Sequence, residues 1–152
     1  MGDYETVMSD EPIQCSNLAE TLIEQSPDAM VFVNTAGIIR VWNSAAERIF
    51  GFSQSATLGA SVNIIIPERF REAHWQGFRR AIAERSTKYQ GQVLSTRSVR
   101  SDGTRIYVEL SFAVILDAEG EVLGVLAHGR DITKRFEQER NDQSPDLAST
   151  CK

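Results

Sequence analysis

Three long β-rich runs constrain what this chain can fold into more than any other feature: Tyr89 to Arg100, Thr104 to Leu116 and Glu121 to Arg130. They are separated only by Ser101-Asp102-Gly103 and by Asp117-Ala118-Glu119-Gly120. Connections this short join antiparallel neighbours, and a glycine in each supplies the backbone freedom a tight hairpin needs. Upstream, AMVFVN (29–34) and GIIRVW (37–42) flank Asn34-Thr35-Ala36-Gly37 and form another hairpin. The segments between the two groups of strands have helical rather than alternating periodicity. The order strand, strand, several helices, three strands is α+β, a five-stranded antiparallel sheet with helices gathered over one face.

The helices are legible from apolar spacing and caps. Leu18, Leu22 and Ile23 place one amphipathic helix at Asn17 to Gln25, with Ser16 available as its N-cap and Ser26-Pro27-Asp28 ending it. Ala46, Ile49 and Phe50 share a face of the next, capped by Asn43 or Ser44 and closed by Gly51, and Ser53 to Ser61 continues as a turn or two of helix. A longer helix opens near Pro67, and DITKRFEQERN (131–141) predicts an exit helix carrying Ile132 and Phe136 on one stripe. One folded domain is therefore expected over 17–130 and an exit helix over 131–142, with flexible tails at 1–16 and 143–152.

Composition removes several function classes. With 152 residues, the chain is long enough for one core, and 41% hydrophobic and 24% charged residues describe a globular protein. No apolar run approaches a membrane span, so the cytoplasm is the expected location. A formal net charge of −5 argues against direct nucleic-acid binding. Cys15 and Cys151 fall in the two tails, which disfavours a structural disulfide or a thiolate metal cage.

The residues resemble the PAS sensory domain across roughly Asn17 to Arg140. The resemblance rests on SPDAMVFVNTAGIIRVWNSAAERIFGFS at 26–53, RSDGTRIYVELSFAVILDAEGEVLG at 100–124 and GRDITKR at 129–135. Individually, Asn43, Gly103 and the Asp131 and Thr133 pair are explained as caps and turns; their order is what carries the likeness. It implies a ligand cavity between the inner sheet face and the helices, or a cofactor-free module for dimerisation and signal relay.

IIIPERFREAHWQGFRRAI (64–82) further resembles the heme-binding branch of that family, typified by the oxygen sensor FixL, in which a proline and glutamate open a helix whose histidine ligates heme iron. On a helix starting near Pro67, Phe70, His74, Phe78 and Ile82 recur at four-residue intervals with Gly77 and Ala81 beside them, and charged residues occupy the other face. A lone histidine on such a stripe is by default a core residue donating one hydrogen bond. Gly77 weighs on the other side, because a mid-helix glycine costs ~1 kcal/mol relative to alanine and usually answers a packing need such as a flat macrocycle. The resemblance makes His74 the axial ligand of heme b and places Arg80 and Lys88 near the propionates, with a solvated charged face as the plain alternative for both.

On the far side of the cavity, the position at which the heme sensors carry a ligand-gating arginine is Leu94. Leu110, Phe112 and Ala127 complete an apolar distal wall, so CO, NO or redox sensing becomes as plausible as oxygen sensing. His128, next to Ala127 on a strand, should face the opposite sheet surface; a one-residue slip would turn it inward as a second axial ligand. Tyr107, Trp42 and Trp75 read as packing residues, and Arg97, Arg100 and Arg105 as an exposed hairpin face. Flavin, FAD or FMN, is the alternative cofactor, although no core cysteine is present for a covalent photoadduct. No nucleophile and base constellation or phosphate-binding loop suggests an enzyme. Signal output is expected through a homodimer, a downstream signalling protein or a fused output domain.

Overall fold

The structure, a computed structural model, describes residues 17–143. The strands are β1 Ala29–Asn34, β2 Ile39–Trp42, β3 Leu94–Val99, β4 Arg105–Leu116 and β5 Val122–Asp131; the helices are α1 Leu18–Gln25, α2 Ser44–Phe50, α3 Gln54–Thr57, α4 Glu68–Glu84 and α5 Thr133–Gln143, with a 3-10 turn at Val62–Ile65. All five strands form one antiparallel sheet in the order β2-β1-β5-β4-β3. The fold is α+β.

Local chemistry explains each boundary. Asn43 caps α2 by accepting from Ala46 N, and Gly51 closes it with a left-handed φ of 79°. At the β3–β4 hairpin, Gly103 takes φ 82° while the Asp102 carboxylate accepts from Thr104 N at 2.9 Å. Along β1, Ala29, Val31 and Val33 are buried while Met30 and Phe32 are only half-buried, the alternation of a strand with one face on a core. The core joins these valines to Ile39, Trp42, Ala46, Phe50, Ile106 and Val108. Trp42 is fully buried and satisfies its indole N–H on Phe52 O at 2.9 Å. Burying a large apolar side chain of this kind is worth roughly 1.5–3 kcal/mol.

Several boundaries differ from those the sequence suggests. Strand β3 begins at Leu94 rather than Tyr89, because 89–92 form turns closed by Gln90 N to Thr87 O and Gln92 N to Tyr89 O. Over 53–61, only Gln54–Thr57 is helical, and a separate 3-10 turn follows. Pro67 occupies the cap of α4 rather than its first turn. Asp131 is the last residue of β5, and its carboxylate accepts from Thr133 N at 2.8 Å, so the exit helix starts at Thr133. Of the expected tails, all of 1–16 and all but Gln143 of 143–152 lie outside the described residues, as do Ser16, Cys15 and Cys151.

Helix α5 turns back onto the outer sheet face. Tyr107, between buried Ile106 and Val108, stacks on Phe136 with ring centroids 3.7 Å apart, and Arg135 pairs with Glu109 at 3.0 Å. On the inner face, α2 and the 3-10 turn pack against β1 and β3, and α4 covers the space that remains.

The candidate ligand cavity and its histidine

Between α4 and the inner sheet face lies a cavity of about 570 Å³, within the size range of small-molecule and cofactor sites. Every cavity residue expected from the sequence lines it: Phe70, His74, Gly77, Phe78 and Arg80 on α4, Lys88 beyond its end, and Leu94, Leu110, Phe112 and Ala127 on the sheet. The register explains the sheet set, since Leu94 pairs with Leu110 and Phe112 with Ala127, and the strand period of two keeps all four on one face. No polar side chain stands among these four, and Val31, Val33, Val108 and Val125 extend the same apolar floor. The β1 and β5 valines were not singled out in the sequence. Their place depends on β1 pairing with β5, nearly a hundred residues away, for which no local signal exists.

On the helical wall His74 stands among Phe70, Ala73, Gly77 and Phe78, with the polar Gln76, Arg80 and Glu84 also bordering the cavity. The His74 ring lies edge-on to Trp75 at 5.1 Å and nearly parallel to Phe78 at 6.2 Å. Trp75 is itself anchored, donating its indole N–H to Asn63 Oδ1 at 2.9 Å, so the side chains beside His74 are held in place. Among the described residues, the His74 Nδ1 atom is the one buried side-chain polar atom without a hydrogen-bond partner. Burial lowers the His74 pKa below its ordinary value of 6.5 because the charged imidazolium is desolvated. The ring is therefore neutral at neutral pH, the state in which imidazole has a lone pair to give to a metal.

One turn further, Gly77 also lines the cavity, and a Cβ added there would meet nothing within 4 Å. The glycine leaves open space beside the histidine instead of serving a helix contact. At the far end of α4, Arg80 and Lys88 border the cavity, Lys88 with its ammonium 4.9 Å from the Tyr89 ring; neither is in an ion pair among the described residues. Phe70 lines the cavity but remains 37% exposed, with the Arg69 guanidinium 4.6 Å over its ring. Thr96 and Ser98 line it from β3, and Ser98 is already committed, donating to Ile65 O at 2.6 Å.

His128 faces as the strand period predicts, and only the one-residue slip that would make it a second axial ligand is corrected. His128 is not among the cavity residues; it pairs with Met30 and Ser111 between inward-facing Ala127 and Gly129, and so turns to the outer face. The second-ligand option at this position is withdrawn.

The PAS-fold family pattern matches residues 17–132. The chain belongs to the PAS family. Its PAS domain is 41% identical over 54 residues to the sensor protein FixL of Bradyrhizobium diazoefficiens, covering 36% of this chain and 11% of FixL. It is 25% identical over 116 residues to the oxygen sensor protein DosP of Escherichia coli, covering 76% of this chain and 14% of DosP. The chain thus spans only a small part of either relative's length. Among solved structures, a PAS domain from Colwellia psychrerythraea superimposes with a TM-score of 0.68 at 24% identity, over 78% of this chain and 97% of that one. An RNA-binding Light-Oxygen-Voltage receptor superimposes with a TM-score of 0.64 at 20% identity, over 87% and 36% of the two chains. No helix among the described residues is long and apolar enough to cross a membrane.

Proposed function

We propose that this PAS domain is a heme-based sensor in which His74 is the axial ligand of heme b and a diatomic gas, O2, CO or NO, or the redox state of the iron is the signal. The observation that carries the reading is the neutral, half-buried His74 imidazole beside a largely apolar cavity, its buried Nδ1 without a partner among the described residues. An orphaned buried polar atom costs about 1–3 kcal/mol, so it calls for a partner that folding itself does not provide. Among the described residues, no three histidine, cysteine, aspartate or glutamate side chains converge to hold a metal ion. A metal at His74 therefore has to arrive with its other ligands already supplied, as iron does in a porphyrin.

The rest of the lining fits such a group. A macrocycle's flat apolar body suits the floor of Leu94, Leu110, Phe112 and Ala127, the space at Gly77 admits its close approach to α4, and Arg80 and Lys88 are free to meet carboxylates at the rim. The bound group would supply an iron whose axial position responds to gas or charge. What this chain's own residues contribute is a neutral ligand, a dry wall and a rim charge. The wall carries no donor at Leu94, so it offers an incoming gas shape and apolarity rather than a hydrogen bond. We place the signal's exit at α5, through a homodimer, a downstream signalling protein or a fused output domain, in the cytoplasm.

Protein produced with hemin should show a Soret band with reductant- and CO-dependent shifts. His74→Ala should lose it, and added imidazole should partly restore it. An unchanged spectrum in the variant would overturn the role of His74. A wild-type protein that takes up no heme would return the domain to a cofactor-free relay, and a co-purifying flavin spectrum would reassign the cavity.

A further inference from the structure

Outside the main cavity, a second cleft of about 430 Å³ opens where the start of α4 meets the β3–β4 hairpin, lined by Pro67, Glu68, Arg69, Arg97 and Arg105. Two of the hairpin arginines that the sequence marks as an exposed face are here joined by a third from α4. Arg100 is not part of the group; the Asp102 carboxylate beside it is held below its ordinary pKa chiefly by the Thr104 hydroxyl and N–H, with Arg100 adding a smaller part. None of Arg69, Arg97 and Arg105 is in an ion pair among the described residues; Arg69 lies over Phe70 at 4.6 Å and Arg97 over Tyr107 at 5.8 Å. Glu68 is the one carboxylate in the cleft and is not within ion-pair distance of any of the three.

In a chain of net charge −5, three arginines lining one concavity, none in an ion pair among the described residues, stand out. Like charges brought together cost energy that a bound anion would offset, and guanidinium forks match the oxygens of phosphate or carboxylate in a bidentate way. We propose that this cleft is a binding site for a small oxyanion, a phosphate- or carboxylate-bearing effector, separate from the cavity beneath α4. The proposal does not depend on heme. Its position gives it a route to the rest of the molecule: Arg97 also borders the main cavity, and its partner Tyr107 stacks on Phe136 of α5. An anion that draws Arg97 into the cleft takes it from the aromatic stack under the exit helix.

The test is a titration of the 152-residue protein with inorganic phosphate and, separately, with citrate, at constant ionic strength, followed by amide and arginine side-chain NMR shifts. Saturable shifts at residues 68, 69, 97 and 105, extending to Tyr107 and Phe136, are expected for at least one anion. Saturation by phosphate alone assigns a phosphoryl group, by citrate alone a carboxylate, and by both a general oxyanion site. The double variant Arg97→Gln/Arg105→Gln should weaken binding by about tenfold or more, the loss expected from removing charged hydrogen bonds. Arg40→Gln, on β2 at the opposite edge of the sheet, should leave it unchanged. Shifts that rise linearly without saturating, an affinity unmoved in the double variant, or an equal loss in Arg40→Gln would each overturn the site.

Discussion

Asn43 and His74 are both polar side chains set into apolar surroundings, and the protein treats them in opposite ways. Asn43 is 1% exposed and uses all of its capacity: Oδ1 accepts from Met30 N and Ala46 N, each at 3.0 Å, while Nδ2 donates to Ile23 O at 2.8 Å and Asp28 O at 3.0 Å. One amide thereby ties α1, β1 and α2 together. His74 has a buried nitrogen, Nδ1, with no partner among the described residues. Satisfied burial is architecture, whereas a buried polar atom left unsatisfied calls for an explanation, and the proposed one is a bound ligand.

The largest expected effect tests the first half of that contrast. Asn43→Ala would strand the Met30 and Ala46 N–H groups and the Asp28 carbonyl and leave Ile23 O only its long bond from Ser26 N, and urea unfolding should show a loss of about 3 kcal/mol or more. A loss below 1 kcal/mol would mean that the network is ornamental. His74→Leu tests the second half. In the heme-free protein it removes the orphaned nitrogen without leaving a large void, so stability should stay within about 1 kcal/mol of the original or rise, while heme uptake is lost. If the variant unfolds instead, His74 is a core residue after all.

Gly77 sharpens the comparison further. Gly77→Ala should stabilise the heme-free protein by ~1 kcal/mol through helix propensity, since the added Cβ meets nothing. Gly77→Leu, pointing a larger group into the same space, should reduce heme loading without loss of fold, as read by absorbance against circular dichroism.

The smallest effect is a pH dependence. Because the folded His74 pKa lies below 6.5, the unfolded chain binds the proton first as pH falls. Stability therefore declines as pH drops from the unfolded value toward the folded one and levels off beneath it. Thermal melts of heme-free protein should show this decline between neutral and mildly acidic pH, and His74→Leu should flatten it.

Much of this was legible without coordinates, for a reason particular residues make plain. The intervals of Phe70, His74 and Phe78 follow from helix geometry alone, and the inward set of Leu94, Leu110, Phe112 and Ala127 from the strand period once the hairpins are placed. Local preference does not decide everything: residues 89–92 have strand character yet form turns, and Asp131, an apparent helix cap, also completes the ladder opposite Val108. The role of Asn43 was underestimated because three of its partners, Ile23, Asp28 and Met30, come from segments that only the folded chain brings to it.

What the sequence determined by itself was therefore periodic or local: which segments are strands and helices, which face of each is apolar, and that a histidine stands in the middle of one such face. Tertiary structure alone decided that β1 joins β5, so that its valines share a floor with Ala127, and that three arginines from two distant segments meet in one cleft. It also decided that no neighbour among the described residues reaches His74 Nδ1. Periodicity tells where a side chain points along its own element, but the presence or absence of a partner depends on long-range pairing that no window of sequence contains.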